Sequence, residues 1–200
     1  MNKDKAFIQF VKAQCKKHSI KLVLSKNNYV STSSGCKCNG FFDDSSRVLA
    51  AACGIEKDKW IKTLVHEYGH MTQWLDKSRI YNKCVKFKSE QVLELWYDGS
   101  IEIDKKQVSY HTGIARDVEE DCEKRTVKLI REFGISMDVK EYIKHANAYL
   151  VFWTFTKEIR SWYKIGHEPY NNKALLDLVP TVFLEDYEKI SKYRKALKNL

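Results

Sequence analysis

Proline and glycine are scarce in this chain, two and eight among 200 residues. That argues against a linker-rich or disordered chain, and no internal repeat or low-complexity segment is visible. Long apolar runs are also missing. Residues 1–18 alternate lysine with short apolar groups, so the apolar core of a secretory signal, roughly 7–15 residues, is not found there. The longest apolar stretch, Ala146 to Phe155, is broken by Asn147 and Thr154. It is too short to span a bilayer, which takes about 20 residues. The expectation is a cytoplasmic protein without membrane contact.

Six cysteines are present, Cys15, Cys36, Cys38, Cys53, Cys84 and Cys122. Without a secretory signal they read as free thiols. Cys36 and Cys38 lie one residue apart, and no second Cys/His pair is placed to complete a zinc ribbon with them. The composition, 44% hydrophobic and 30% charged, is that of a soluble globular chain long enough to bury a core. The net charge of +9 admits an acidic partner such as nucleic acid, or simply a solvated lysine-rich surface, which is the preferred reading. The basic residues are scattered, most densely from Lys189 to Lys198.

Apolar spacing predicts a helix over 4–18, short strands over 21–24, 40–42 and 47–53, and a loop over 27–39. A helix capped by Asp58 is predicted over 59–77, with apolar residues at 61, 64, 65, 68, 71 and 75. Segments 92–96 and 100–103 bracket Asp98-Gly99 and predict a hairpin. Helices follow over 115–133, stopped by Gly134, and over 137–164, with short helices to the end. The fold class is α+β: a small N-terminal sheet and a helical C-terminal half. Residues 1–135 are expected to form the core, and 136–200 a helical lobe packed on it as one unit, since some sixty residues are marginal alone.

The helix over 59–77 contains His66-Glu67-Tyr68-Gly69-His70. Residues four apart share a helix face, so two imidazoles can address one ion. Glu67 lies beside them, where a carboxylate can take a proton from a water activated by zinc. Thr63, Leu64, Tyr68, Gly69 and Met71 are uncharged, as a buried metal helix requires. The segment resembles the active-site helix of the zincin metallopeptidases. That resemblance implies Zn2+, a peptide or protein substrate, and an edge strand, here 47–53, along which a substrate adds main-chain hydrogen bonds.

The third ligand is less explicit. Metzincins and SprT-like proteases place it just beyond the helix, and here Gln73 and Asp76 stand where metzincins continue, with no histidine from 71 to 110. On the helix over 115–133, Ala115, Val118, Cys122, Thr126, Leu129 and Phe133 define an apolar face. Glu119 falls toward that face, Glu120 away from it, and Glu123 on its flank. An inward acid wants a partner, so Glu119 is expected as the third ligand and Glu123 as a supporting or substrate-side carboxylate. A Glu on a following helix, with Cys122 and Thr126 as small residues, resembles gluzincins and the compact ImmA/IrrE-like zincins. Tyr149 and His145 are candidate oxyanion donors, although core roles are preferred for both. The function expected is a zinc-dependent peptidase with Glu67 as general base. The alternative is a binding scaffold that holds DNA or a protein while its metal is structural.

Overall fold

The computed structural model describes residues 3–33, 35–164 and 166–198. In chain order the first elements are α1 (Lys3–Lys17), β1 (Lys21–Ser25), β2 (Val30–Ser31), β3 (Lys37–Cys38), β4 (Gly40–Asp43), β5 (Val48–Ala52) and α2 (Lys57–Leu75). There follow α3 (Arg79–Phe87), α4 (Ser89–Tyr97), α5 (Lys105–Phe133), α6 (Val139–Ile159), α7 (Lys173–Leu176) and α8 (Arg194–Leu197). The class is α+β, as the sequence suggests. No helix among the described residues is long and apolar enough to cross a membrane.

The chain forms two compact units: residues 1–78 with 122–137, and 79–121 with 138–200. The chain passes between them after 78, 121 and 137. Helix α5 contributes to both units.

In the first unit, small side chains decide the sheet. β5, Val-Leu-Ala-Ala-Ala, is buried from Leu49 to Ala52 and runs between two partners. It pairs parallel with β1, Lys21 opposite Val48, and antiparallel with β4, Phe41 opposite Ala50. The strand order is β1-β5-β4, so β5 is central and not the edge strand expected of it. The edges are β1 and β4. Successive strand residues face opposite sides. Gly40 and Phe42 face α2, where Phe42 meets Trp74 at 5.9 Å between ring centroids. Phe41, Val48, Ala50 and Ala52 face the other way, against Val30 and Cys38 of the small β2–β3 ladder.

Helix α1 buries Phe7, Val11 and Cys15, a four-residue spacing that makes one stripe. The Phe7 ring stands edge-on to Tyr68 at 5.9 Å and to Phe133 at 5.2 Å. Helix α2 begins two residues before its expected start. Glu56 occupies its N-cap without a side-chain bond, and Asp58 sits in the first turn rather than at the cap. There a carboxylate still favours the positive end of the helix dipole.

In the second unit the predicted hairpin over 92–103 is replaced by helix α4. Leu93 and Trp96, three apart, are its buried stripe. Gly99, at φ +81°, ends the helix, with its N–H donating to the Trp96 carbonyl at 3.3 Å. Asp-Gly serves turns and helix ends alike, because both need a left-handed residue. Helix α5 starts ten residues earlier than predicted, and α3 was not foreseen. Asp138 caps α6 by accepting from the amides of Lys140 and Glu141. Phe152 and Phe155 of α6 share a core with Leu175, Tyr187, Tyr193 and Leu197.

Candidate metal centre

Helix α2 carries His66 and His70 on one face, with ring centroids 4.9 Å apart and planes nearly perpendicular. Residues 122–133 of α5 lie against that helix. Gly69 makes the approach possible: an added Cβ would come 2.9 Å from Cys122 Sγ and 3.0 Å from Thr126 Oγ1. The helices therefore meet at a glycine, and the thiol arrives beside the two imidazoles. One donor atom from each of His66, His70 and Cys122 lies within 4.8 Å of the others, the only such trio of metal-binding type found among the described residues.

The surroundings orient these donors. His70 Nδ1 is 2.9 Å from Gln73 Oε1, an acceptor that favours the tautomer with its proton on Nδ1 and Nε2 open to a ligand. His66 Nδ1 is 3.4 Å from Glu123 Oε1 and 3.8 Å from Cys122 Sγ. Burial disfavours the His66 imidazolium, but Cys122 and Glu123 outweigh it and hold its pKa well above the ordinary 6.5. The Cys122 thiol also donates to the His66 carbonyl at 3.2 Å. Glu123 is itself buried, 6% exposed. It also opposes the effect of burial on Lys62, whose pKa burial lowers.

Glu67, the expected general base, is half-buried and packs its Cγ over Gly40 of β4. A Cβ at Gly40 would lie 2.5 Å from Thr63 Cγ2, 2.8 Å from the Ala50 carbonyl and 3.1 Å from Glu67 Cγ. Strand β4 can therefore run this close to Thr63 and the Glu67 methylene only as glycine. Cys38 is a neighbour the sequence did not suggest. Burial first, then the charges of Glu67 and Cys36, push its thiol up to about 11.

Glu119 is inward, as the helical wheel implies, at 8% exposed, while Glu120 is half-buried. It lies one turn before Cys122 on α5 and is not in the converging trio. In the sequence Cys122 fits the small-residue pattern, although a cysteine central to the apolar face of the partner helix is a zinc ligand by type. Tyr149 and His145 are on α6, in the second unit, and outside the trio. Burial foremost, then the nearby Glu119 and Tyr163, raise the Tyr149 pKa well above 10, so its hydroxyl keeps its proton.

Two imidazoles and a thiol suit a borderline-soft cation such as zinc, which takes nitrogen and sulfur ligands together. Compared with family models, curated proteins and solved structures, the chain finds no match.

Proposed function

We propose that this chain is a zinc-dependent hydrolase, and specifically a metallopeptidase. The observation that carries the reading is the convergence of His66, His70 and Cys122 within 4.8 Å, with Glu67 following directly after the first ligand. Those three residues would hold the ion. When bound, zinc supplies Lewis acidity, which makes water nucleophilic near neutral pH and polarises a carbonyl. Glu67 then accepts the proton of the attacking water and delivers it to the leaving amine. Gln73 and Glu123 fix the two imidazole rings, so the donors need little reorganisation. Gly40 leaves Glu67 room above β4, an edge strand beside which an extended peptide can align.

A second reading rests on the thiol. Cysteine ligands are common in closed, structural zinc sites, and such a site would make this a binding scaffold. Glu67 separates the two. Glu67→Gln should retain metal and lose hydrolysis of a mixed peptide library, compared with wild type by mass spectrometry. A variant that cleaves like wild type, or a wild type that cleaves nothing while loaded with zinc, would sink the peptidase reading.

A further inference from the structure

The second unit carries a surface that the hydrolase reading does not use. From Arg79 to Ser89 the chain has four cations, Arg79, Lys83, Lys86 and Lys88, and no carboxylate. Helix α3 turns Ile80, Tyr81 and Cys84 toward Ile114 and Val118 of α5, which leaves its other residues outward. Phe87 and Tyr110 stay 41% and 43% exposed. They are not scattered: their rings meet edge to face at 5.6 Å. Lys83 Nζ stands 5.0 Å over the Tyr110 ring, and Lys86 Nζ 5.5 Å over Phe87. Lys106, one turn before Tyr110 on α5, shares its side of that helix and is exposed.

The nearby acids turn elsewhere. Glu90 faces the Cys84 thiol at 3.8 Å, and Asp104 accepts from the Gln107 amide at 2.8 Å. The contrast with the C-terminal basic group is clear. There Lys189 pairs with Asp186 and Arg194 with Glu158. The lysines of α3 instead lie over aromatic rings.

We propose that the Phe87–Tyr110 pair and Lys83, Lys86, Lys88 and Lys106 form a binding surface for single-stranded nucleic acid. Exposed rings stack on unpaired bases whatever their identity, and the flanking ammonium groups meet the phosphates. A duplex hides its base faces and offers phosphates and groove edges, with nothing for the rings to stack on. An acidic peptide offers charge with nothing to stack. The combination of rings and cations is therefore matched best by an unpaired strand, DNA or RNA.

The test uses the full chain and fluorescence anisotropy with labelled fifteen-nucleotide dT and rU strands, at low and moderate salt. Saturable binding that weakens with salt is expected. Phe87→Leu/Tyr110→Leu should weaken it roughly tenfold or more, because stacking is lost while charge is kept. Lys83→Ala/Lys86→Ala should weaken it and flatten the salt dependence by about 1.4 in log–log slope. Lys189→Ala/Lys192→Ala/Lys195→Ala, which removes three charges elsewhere, one more than the α3 variant, should change it less than twofold. All the substituted side chains are surface groups, and unchanged thermal unfolding confirms that each variant is folded. Three results overturn the proposal: no binding at low salt, wild-type affinity in the ring variant, or equal affinity for a duplex or a polyglutamate peptide. A result on either side leaves the peptidase reading untouched, since Glu67→Gln should bind the strands as wild type does.

Discussion

Gly69 of α2 and Cys122 of α5 approach so closely that a Cβ on residue 69 would lie 2.9 Å from the thiol sulfur. Two effects compete in Gly69→Ala. Helix propensity alone would make it stabilising by about 1 kcal/mol. Overpacking a tight contact costs about 1–3 kcal/mol. The obstructing atoms include the Cys122 carbonyl at 3.3 Å, part of a helix backbone that cannot swing away. The clash should win: the variant should unfold at lower temperature than wild type and bind zinc more weakly. A Gly69→Ala protein more stable than wild type would show that the two helices are not this close.

Much of the first unit was legible because its signals are local. Glycine and serine mark off the strands, and the apolar spacing of 61, 64, 65, 68 and 71 gives α2 within two residues. Periodicity alone places Glu119 inward and Glu123 on the flank of the apolar face, and both are buried. What failed depended on tertiary context. β5 reads the same as an edge or a centre, since only its pairing with β1 and β4 decides which it is. Asp98-Gly99 was taken for a hairpin because the sequence does not say that Leu93 and Trp96 pack on one side. Cys122 was passed over because its approach to His66 spans 56 residues of sequence and hinges on one glycine.

Glu188 offers a test by pH. Burial raises its pKa, but hydrogen bonds from Lys157 and Arg116 outweigh burial and leave it below the ordinary 4.5. Lys157 Nζ is 2.6 Å away, and Arg116 also pairs with it. A depressed folded-state pKa adds stability that is complete above 4.5 and is lost as pH falls through the lower folded value. The carboxylate is 51% exposed, so solvent screening limits the gain to about 1 kcal/mol. Glu188→Gln should therefore be less stable than wild type at pH 7, by denaturant titration, and the gap should close toward pH 3. A gap that persists there would mean the residue acts by packing.

The thiols should divide sharply in a labelling experiment. Cys36 is exposed, whereas Cys15, Cys84 and Cys122 are buried. Burial pushes Cys15 up to about 11. Burial, with Glu90 beside it, pushes Cys84 up to about 12. Only thiolates react quickly, so both are inert at neutral pH. Brief treatment of the native protein with iodoacetamide, read by peptide mass mapping, should modify Cys36 first and spare Cys15 and Cys84 until unfolding. Early modification of Cys84 would contradict its packing against Ile114 and Val118 of α5.

The metal site has two candidates for its third donor, Cys122 and Glu119. Purified protein should carry about one zinc per chain, and His66→Ala or His70→Ala should remove it. Geometry favours Cys122 as the third donor, whereas the helical wheel favoured Glu119. Cobalt substitution distinguishes them, because a thiolate ligand gives an intense charge-transfer band in the near ultraviolet and a carboxylate does not. That band should be present in wild type and lost in Cys122→Ser, together with most of the zinc affinity. Glu119→Gln should keep both. Glu123→Gln should keep the band but weaken zinc binding roughly 10–100-fold, since it removes the carboxylate charge that orients His66. If Cys122→Ser binds zinc as wild type while Glu119→Gln does not, the thiol is only a packing neighbour, and the carboxylate one turn before it is the ligand.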